Sequence, residues 1–136
     1  MSKGASGLFS GTKGSKAALI SKLKSQNIKF SEKDVVFITR DKTGQIVWLE
    51  KGRLAKNPSG LAHIIDAHES DFNRKGIASS DIPDLIIAAV SKGEVVGYQG
   101  KGTGRPIYKV TYNGKEHKIA ITIGSNGYIV GANPSK

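Results

Sequence analysis

Apolar side chains recur along the chain with two different periods. From Ser15 to about Gln26, Ala18, Leu19 and Leu23 fall on one face at helical spacing, with Ser15 as a candidate cap. Val35 to Thr39 is β-branched and strand-like. Asp41-Lys42-Thr43-Gly44 is a turn, and Gln45 to Leu49 returns as a second strand. Asn57-Pro58-Ser59-Gly60 breaks the chain and caps a helix from about Leu61 to His68. Asp81 caps a further helix from Ile82 to about Ser91, with Pro83 in its first turn and Ile82, Leu85, Ile86 and Val90 as its apolar stripe. Beyond that point the pattern is all strand: Val95–Tyr98, Ile107–Tyr112, Glu116–Ile123 and Tyr128–Ala132, separated by Gly100–Gly104, Asn113-Gly114 and Gly124–Gly127. Helices early and an antiparallel meander late predict an α+β fold, N-terminal helices packed on a C-terminal antiparallel sheet.

The Asn113-Gly114 pair fixes a register. A two-residue turn sets Tyr112 opposite Lys115, Val110 opposite His117, Lys109 opposite Lys118 and Tyr108 opposite Ile119. One face of this hairpin then carries Tyr108, Val110, Ile119, Ile121 and Ile123 and is core. The other carries Lys109, Thr111, Lys118, Ala120 and Thr122. Directly opposed lysines repel unless an anion lies between them, so this open face is a candidate phosphate site; an ordinary solvated face is the alternative. An even-length second turn would put Tyr128 on the core side, and an odd-length one would reverse it.

Composition sharpens the picture. The 136 residues make one domain, 15–136, behind a Gly-, Ser- and Lys-rich lead-in over 1–14 that reads as flexible. No apolar run approaches a membrane span, and the start lacks the apolar core of a secretory signal. With no cysteine, a disulfide framework and a thiolate zinc site are excluded. The net charge is +10, and it is uneven: residues 1–31 hold six lysines and no acid, and 93–136 hold six basic residues against two acids. Such a field suits a polyanion, either nucleic acid or an acidic protein.

The histidine helix, Gly60-Leu61-Ala62-His63-Ile64-Ile65-Asp66-Ala67-His68, carries the candidate chemistry. Its two histidines are five apart, about 140° around a helix, whereas helical zinc pairs are four apart. Asp66, Glu69 and Asp71 leave oxygen ligation open, but the expectation is no metal and no cofactor. Histidine carries protons in both directions near neutral pH. Beside a basic groove it meets the needs of RNA cleavage: one group takes the 2′-OH proton, another protonates the leaving 5′-oxygen, and cations hold the developing phosphate charge.

The Gly60–Ile65 segment with His68, together with the ending Gly127-Tyr128-Ile129-Val130-Gly131-Ala132-Asn133-Pro134, resembles bacterial polymorphic toxin domains of the barnase/EndoU/colicin/RelE-like nuclease superfamily. The resemblance spans about residues 30–134. It implies helices on an antiparallel sheet with the active site on the sheet's open face. It also implies a metal-independent ribonuclease, many relatives acting on tRNA, delivered by a secreted or cell-surface effector into a target cell's cytoplasm and neutralised by a cognate immunity protein. The family's His, Lys or Arg, and Ser or Thr map to His68 and His63, to Arg105 or Lys118, and to Thr122 or Ser125. Relatives often read threonine-alanine-tyrosine-proline where this chain has Gly131-Ala132-Asn133-Pro134, which moves the hydroxyl role toward Thr122, Tyr108 and Tyr128. On this reading His68 is the first choice as general acid or base, with His63 as partner. Arg105 and Lys118 stabilise the transition state, Thr122 and Ser125 bind phosphate, and Lys109, Thr111, Tyr128 and Lys101 contact substrate. The expected partners are RNA and an acidic immunity protein, with no membrane insertion and no DNA. The rival classes are a non-catalytic nucleic-acid-binding module, a metal-dependent DNase and an inert interaction domain.

Overall fold

The computed structural model describes residues 16–100 and 105–135. The lead-in, the Ser15 cap and Lys101 fall outside the described residues. The described chain folds as α+β, with helices on an antiparallel sheet. In order come α1 (Lys16–Ser25), β1 (Val35–Arg40), β2 (Ile46–Glu50), α2 (Gly60–Arg74), α3 (Ile82–Lys92), β3 (Glu94–Gln99), β4 (Arg105–Tyr112), β5 (Lys115–Ile123) and β6 (Ile129–Pro134). Short 3₁₀ turns precede β1 and α3. No helix among the described residues is long and apolar enough to cross a membrane.

The last four strands form one sheet in the order β3-β4-β5-β6, and β1 and β2 form a separate two-stranded sheet. The β4–β5 register is the one the Asn-Gly turn dictates: Tyr112 faces Lys115, Lys109 faces Lys118 and Tyr108 faces Ile119. Tyr108, Val110, Ile119 and Ile121 are buried beneath the sheet. Against them packs α3, buried at Ile82 and at every position from Leu85 to Val90, which makes it the central helix of the main core.

A second, smaller cluster gathers Leu19, Ile20 and Leu23 of α1 with Val35, Ile38, Ile46 and Trp48. Trp48 is its centre. Phe30 and Tyr128 pack edge-on against its ring at 6.0 and 5.8 Å, its indole N–H donates to Glu50 Oε2 at 2.9 Å, and its backbone N–H donates to Gly127 O at 3.0 Å. That last bond ties the small sheet to the approach of β6.

Opposite Val47 of β2, β1 holds Thr39 fully buried, its hydroxyl without a hydrogen-bond partner among the described residues. A buried unpaired hydroxyl costs about 1–3 kcal/mol. Thr39→Val keeps the shape and removes the hydroxyl, so a stability gain of about 1 kcal/mol is expected. It is read as a higher urea midpoint at unchanged slope.

The helix α2 runs past the expected end at His68 to Arg74. Phe72, eight residues after Ile64, continues the same apolar stripe and is fully buried, so the polar run between them is helix surface. The start of α2 is held by a clasp. Arg53 and Ser59 exchange backbone hydrogen bonds at 3.0 and 3.1 Å, and Ala62 N–H donates to Lys51 O at 2.8 Å. Inside the clasp Gly52 and Gly60, both at positive φ, stack backbone on backbone: a Cβ on Gly60 would lie 2.7 Å from Gly52 Cα.

A candidate active site on the open sheet face

The face of the sheet turned away from α3 is built from alternate residues. In β4 these are Arg105, Ile107, Lys109 and Thr111, in β5 Lys118, Ala120 and Thr122, and in β6 Gly131 and Asn133. Ile107, Ala120 and Asn133 lie side by side across three strands, with Thr122 next to Gly131 one step further.

His63 reaches this face from α2. Gly131 has no side chain, and a Cβ built there would meet His63 Cδ2 at 3.6 Å and Nε2 at 3.8 Å. The imidazole therefore occupies the space above Gly131, next to Thr122. Two residues along β6, roughly 7 Å on the same face, Asn133 is nearly buried and accepts a hydrogen bond from Arg105 Nη1 at 2.8 Å. The Asn133 amide nitrogen donates to Pro134 O at 3.0 Å and to Gln99 Oε1 at 3.4 Å. Its orientation is thus set from both sides, and the otherwise exposed Arg105 is anchored through one nitrogen, with no second side-chain hydrogen bond among the described residues. An imidazole, a hydroxyl and a tethered guanidinium on one strip of sheet can accept a proton and hold an anion beside it.

Other residues expected at the site lie elsewhere. His68 turns away from His63 and shares hydrogen bonding with Asp71, at 2.9 Å, within its own helix. Asp71 also takes Arg74, and the His68 hydrogen bond, with Arg74 beside it, holds the Asp71 carboxyl below its ordinary range. Lys109 sits between Glu116, at 3.4 Å, and Glu94, at 3.8 Å. These two acids relieve the repulsion that the opposed lysines would otherwise feel. Lys118 keeps the open face without an acidic partner among the described residues, and Thr111 is exposed at the far end of β4. Ser125 is exposed in the β5–β6 turn, its carbonyl accepting from Gln45. Tyr128 belongs to the Trp48 cluster, its hydroxyl 2.8 Å from Ser59 Oγ. Tyr108 is buried under the sheet, and that burial pushes its phenol up. Among the described residues no group of three or more His, Cys, Asp or Glu gathers as a metal site requires.

The sequence pattern did not single out Gln99, and it took Gly131 and Asn133 only as positions that lack the hydroxyls of the resembling family. Asn133 bonds Arg105 across 28 positions of chain. The only signal for it was the alternation along β6, and a bulge between Thr122 and Ile123 breaks the count from the turn. No protein-family model and no curated protein matches the chain.

The third histidine, His117, lies on the other side of β5. Burial, then Lys115 and Lys75, lower its imidazole below the ordinary 6.5. The unfolded chain therefore takes up this proton before the folded chain does. The penalty is absent above pH 6.5 and grows as pH falls through 6.5 toward the lower folded value. His117→Gln is expected to flatten the loss of stability on acidification, seen as a smaller drop in urea midpoint across that window.

Proposed function

We propose that this domain is a metal-independent endoribonuclease that acts on the open sheet face, with His63 as its proton carrier. The observation that carries the reading is the His63 ring seated over Gly131, on the strip that holds Thr122 and the Arg105–Asn133 pair. The ribose 2′-oxygen attacks phosphorus as its proton passes to His63. The P–O5′ bond breaks, and the 5′-oxygen leaves as an alcohol with a proton from solvent. The products are a 2′,3′-cyclic phosphate and a 5′-hydroxyl. Arg105 faces the charge that develops on the non-bridging oxygens, and Asn133 holds it ready, so little reorganisation is needed at the moment of reaction. Thr122 donates a hydrogen bond to the same phosphate. His63 is favoured over His68 because Asp71 engages His68 away from this strip.

The resemblance of the histidine helix and the final strand supports a wider setting: a toxin domain of a contact-dependent or related bacterial effector, delivered into a target cell's cytoplasm. There it would cleave tRNA or another bacterial RNA until an acidic immunity protein covered the basic face.

Incubation with total bacterial RNA and with plasmid DNA, each with and without EDTA, tests the reading. Discrete RNA fragments ending in cyclic phosphate, formed equally in EDTA, are expected. DNA loss that EDTA prevents, or a gel shift with no cleavage, would overturn it.

A further inference from the structure

The two edges of the four-stranded sheet differ. At β6, α2 lies alongside with His63 against Gly131, and Tyr128, just before the strand, bridges to Trp48. At the other edge, β3 pairs with β4 and with no further strand among the described residues. Its outer row of backbone N–H and C=O groups can therefore take another strand.

Exposed apolar side chains gather on this same strand. Val95, Val96 and Tyr98 are 45, 46 and 63% exposed, and Leu54 is the one other large apolar residue so exposed among those described. Val95 stands opposite Tyr108 and Tyr98 opposite Pro106, so both belong to the face that packs on α3. Tyr108 is buried on that face, whereas Val95 and Tyr98 carry it on into solvent as an apolar shelf. A bulge between Val95 and Gly97 twists the strand, but β3 has neither the lysine nor the proline that commonly blunts an edge.

Charge indicates what would cover the edge. Lys42 and Lys92 share a hollow with Glu94 at the start of β3, and neither lysine has an acidic partner among the described residues. The two acids of that hollow, Glu94 and Glu116, both lie against Lys109. At the far end of β3, Arg105 stands opposite Gln99 and donates to the neutral amide of Asn133. An edge of alternating donors and acceptors is matched by a polypeptide strand, whereas a nucleic-acid backbone offers acceptors without the matching row of donors. A second copy of the chain would bring a further +10 to this edge.

We propose that β3 is a docking edge for an extended, acidic segment of a partner protein, which adds as a fifth strand and packs apolar side chains on Val95 and Tyr98. The assignment stands apart from the ribonuclease reading. β3 and β6 are three strand spacings apart, about 14 Å, and binding is read without turnover.

The probe is a displayed library of extended peptides, β-branched and aromatic at the centre with glutamates at both ends, selected on the whole domain. The same library with lysines at its ends is the control. Glutamate-ended peptides are expected to be enriched, to bind more weakly as salt rises, and to slow amide exchange across Glu94–Gln99 but not in β6. Val95→Ser combined with Tyr98→Ser is expected to weaken the selected peptides about tenfold. Both positions are exposed, so the thermal midpoint should stay with the parent's. Equal enrichment of the lysine-ended library, slowed exchange elsewhere instead, or no peptide that slows exchange in β3 would overturn the proposal. A dimer that forms with rising protein concentration and slows the same amides would give the edge to a second copy and overturn the acidic partner. Slowing of those amides by oligouridylate would overturn it in favour of RNA.

Discussion

His63→Ala is expected to lower RNA cleavage by roughly 10²–10⁴-fold, the range that positioned acid–base groups supply, while the protein stays folded. Two observations separate these effects. The ring is half-buried, and no hydrogen bond ties it to a neighbour among the described residues, so truncation removes modest packing. The same ring is the only histidine on the strip with Thr122, Arg105 and Asn133 among the described residues, so the reaction has no second imidazole to use there. His68→Ala is the informative companion. It breaks the His68–Asp71 pair but should leave cleavage within a few-fold of the parent. Single-turnover rates on a defined RNA, beside far-UV circular dichroism, give both answers. Full activity in His63→Ala, or its loss in a folded His68→Ala, would remove His63 from its assigned role.

The second large effect is on stability. Gly52→Ala is expected to cost about 3 kcal/mol or more, a sum of positive-φ strain and a steric collision. A Cβ at Gly52 would lie 1.9 Å from Ser59 O and 2.8 Å from Gly60 Cα, and both are backbone atoms that cannot rotate aside. For a chain of this size the thermal midpoint should fall by roughly 10 °C. Gly44→Ala calibrates the strain: its φ of 92° is as unfavourable, but nothing lies within 4 Å of the new atom. The difference between the two midpoints isolates the collision. Because the clasp fixes where α2 begins, Gly52→Ala should also reduce cleavage in the fraction that remains folded. Equal midpoints for the two variants would show that the clasp yields at little cost.

The parts of the fold legible in the sequence are those set by local rules. The Asn113-Gly114 turn determines the β4–β5 register and therefore which residues face the core, and the structure has that register. The apolar stripe of α3 is equally plain. What stayed hidden depends on contacts between distant segments. The polar stretch Glu69-Ser70-Asp71 reads as the end of a helix until Phe72 is known to be buried under the sheet. Tyr128 follows a bulged hairpin, and its place beside Trp48 is set by a small sheet some 80 residues earlier in the chain, which no count along β6 reveals. The candidate site shows the same division. The histidine segment stands out by composition, but the choice between His63 and His68 depends on which side of α2 meets β6. Gly131 enters that choice through the side chain it does not have.

Trp48 is the chain's single tryptophan, and it lies in the smaller of the two apolar clusters. Its emission therefore follows the loosening of α1, β1 and β2, whereas circular dichroism weighs every strand and helix. Superimposable melting curves from the two would mean that both clusters come apart as one cooperative unit, and an earlier optical transition would mark the amino-terminal third as a separately melting layer.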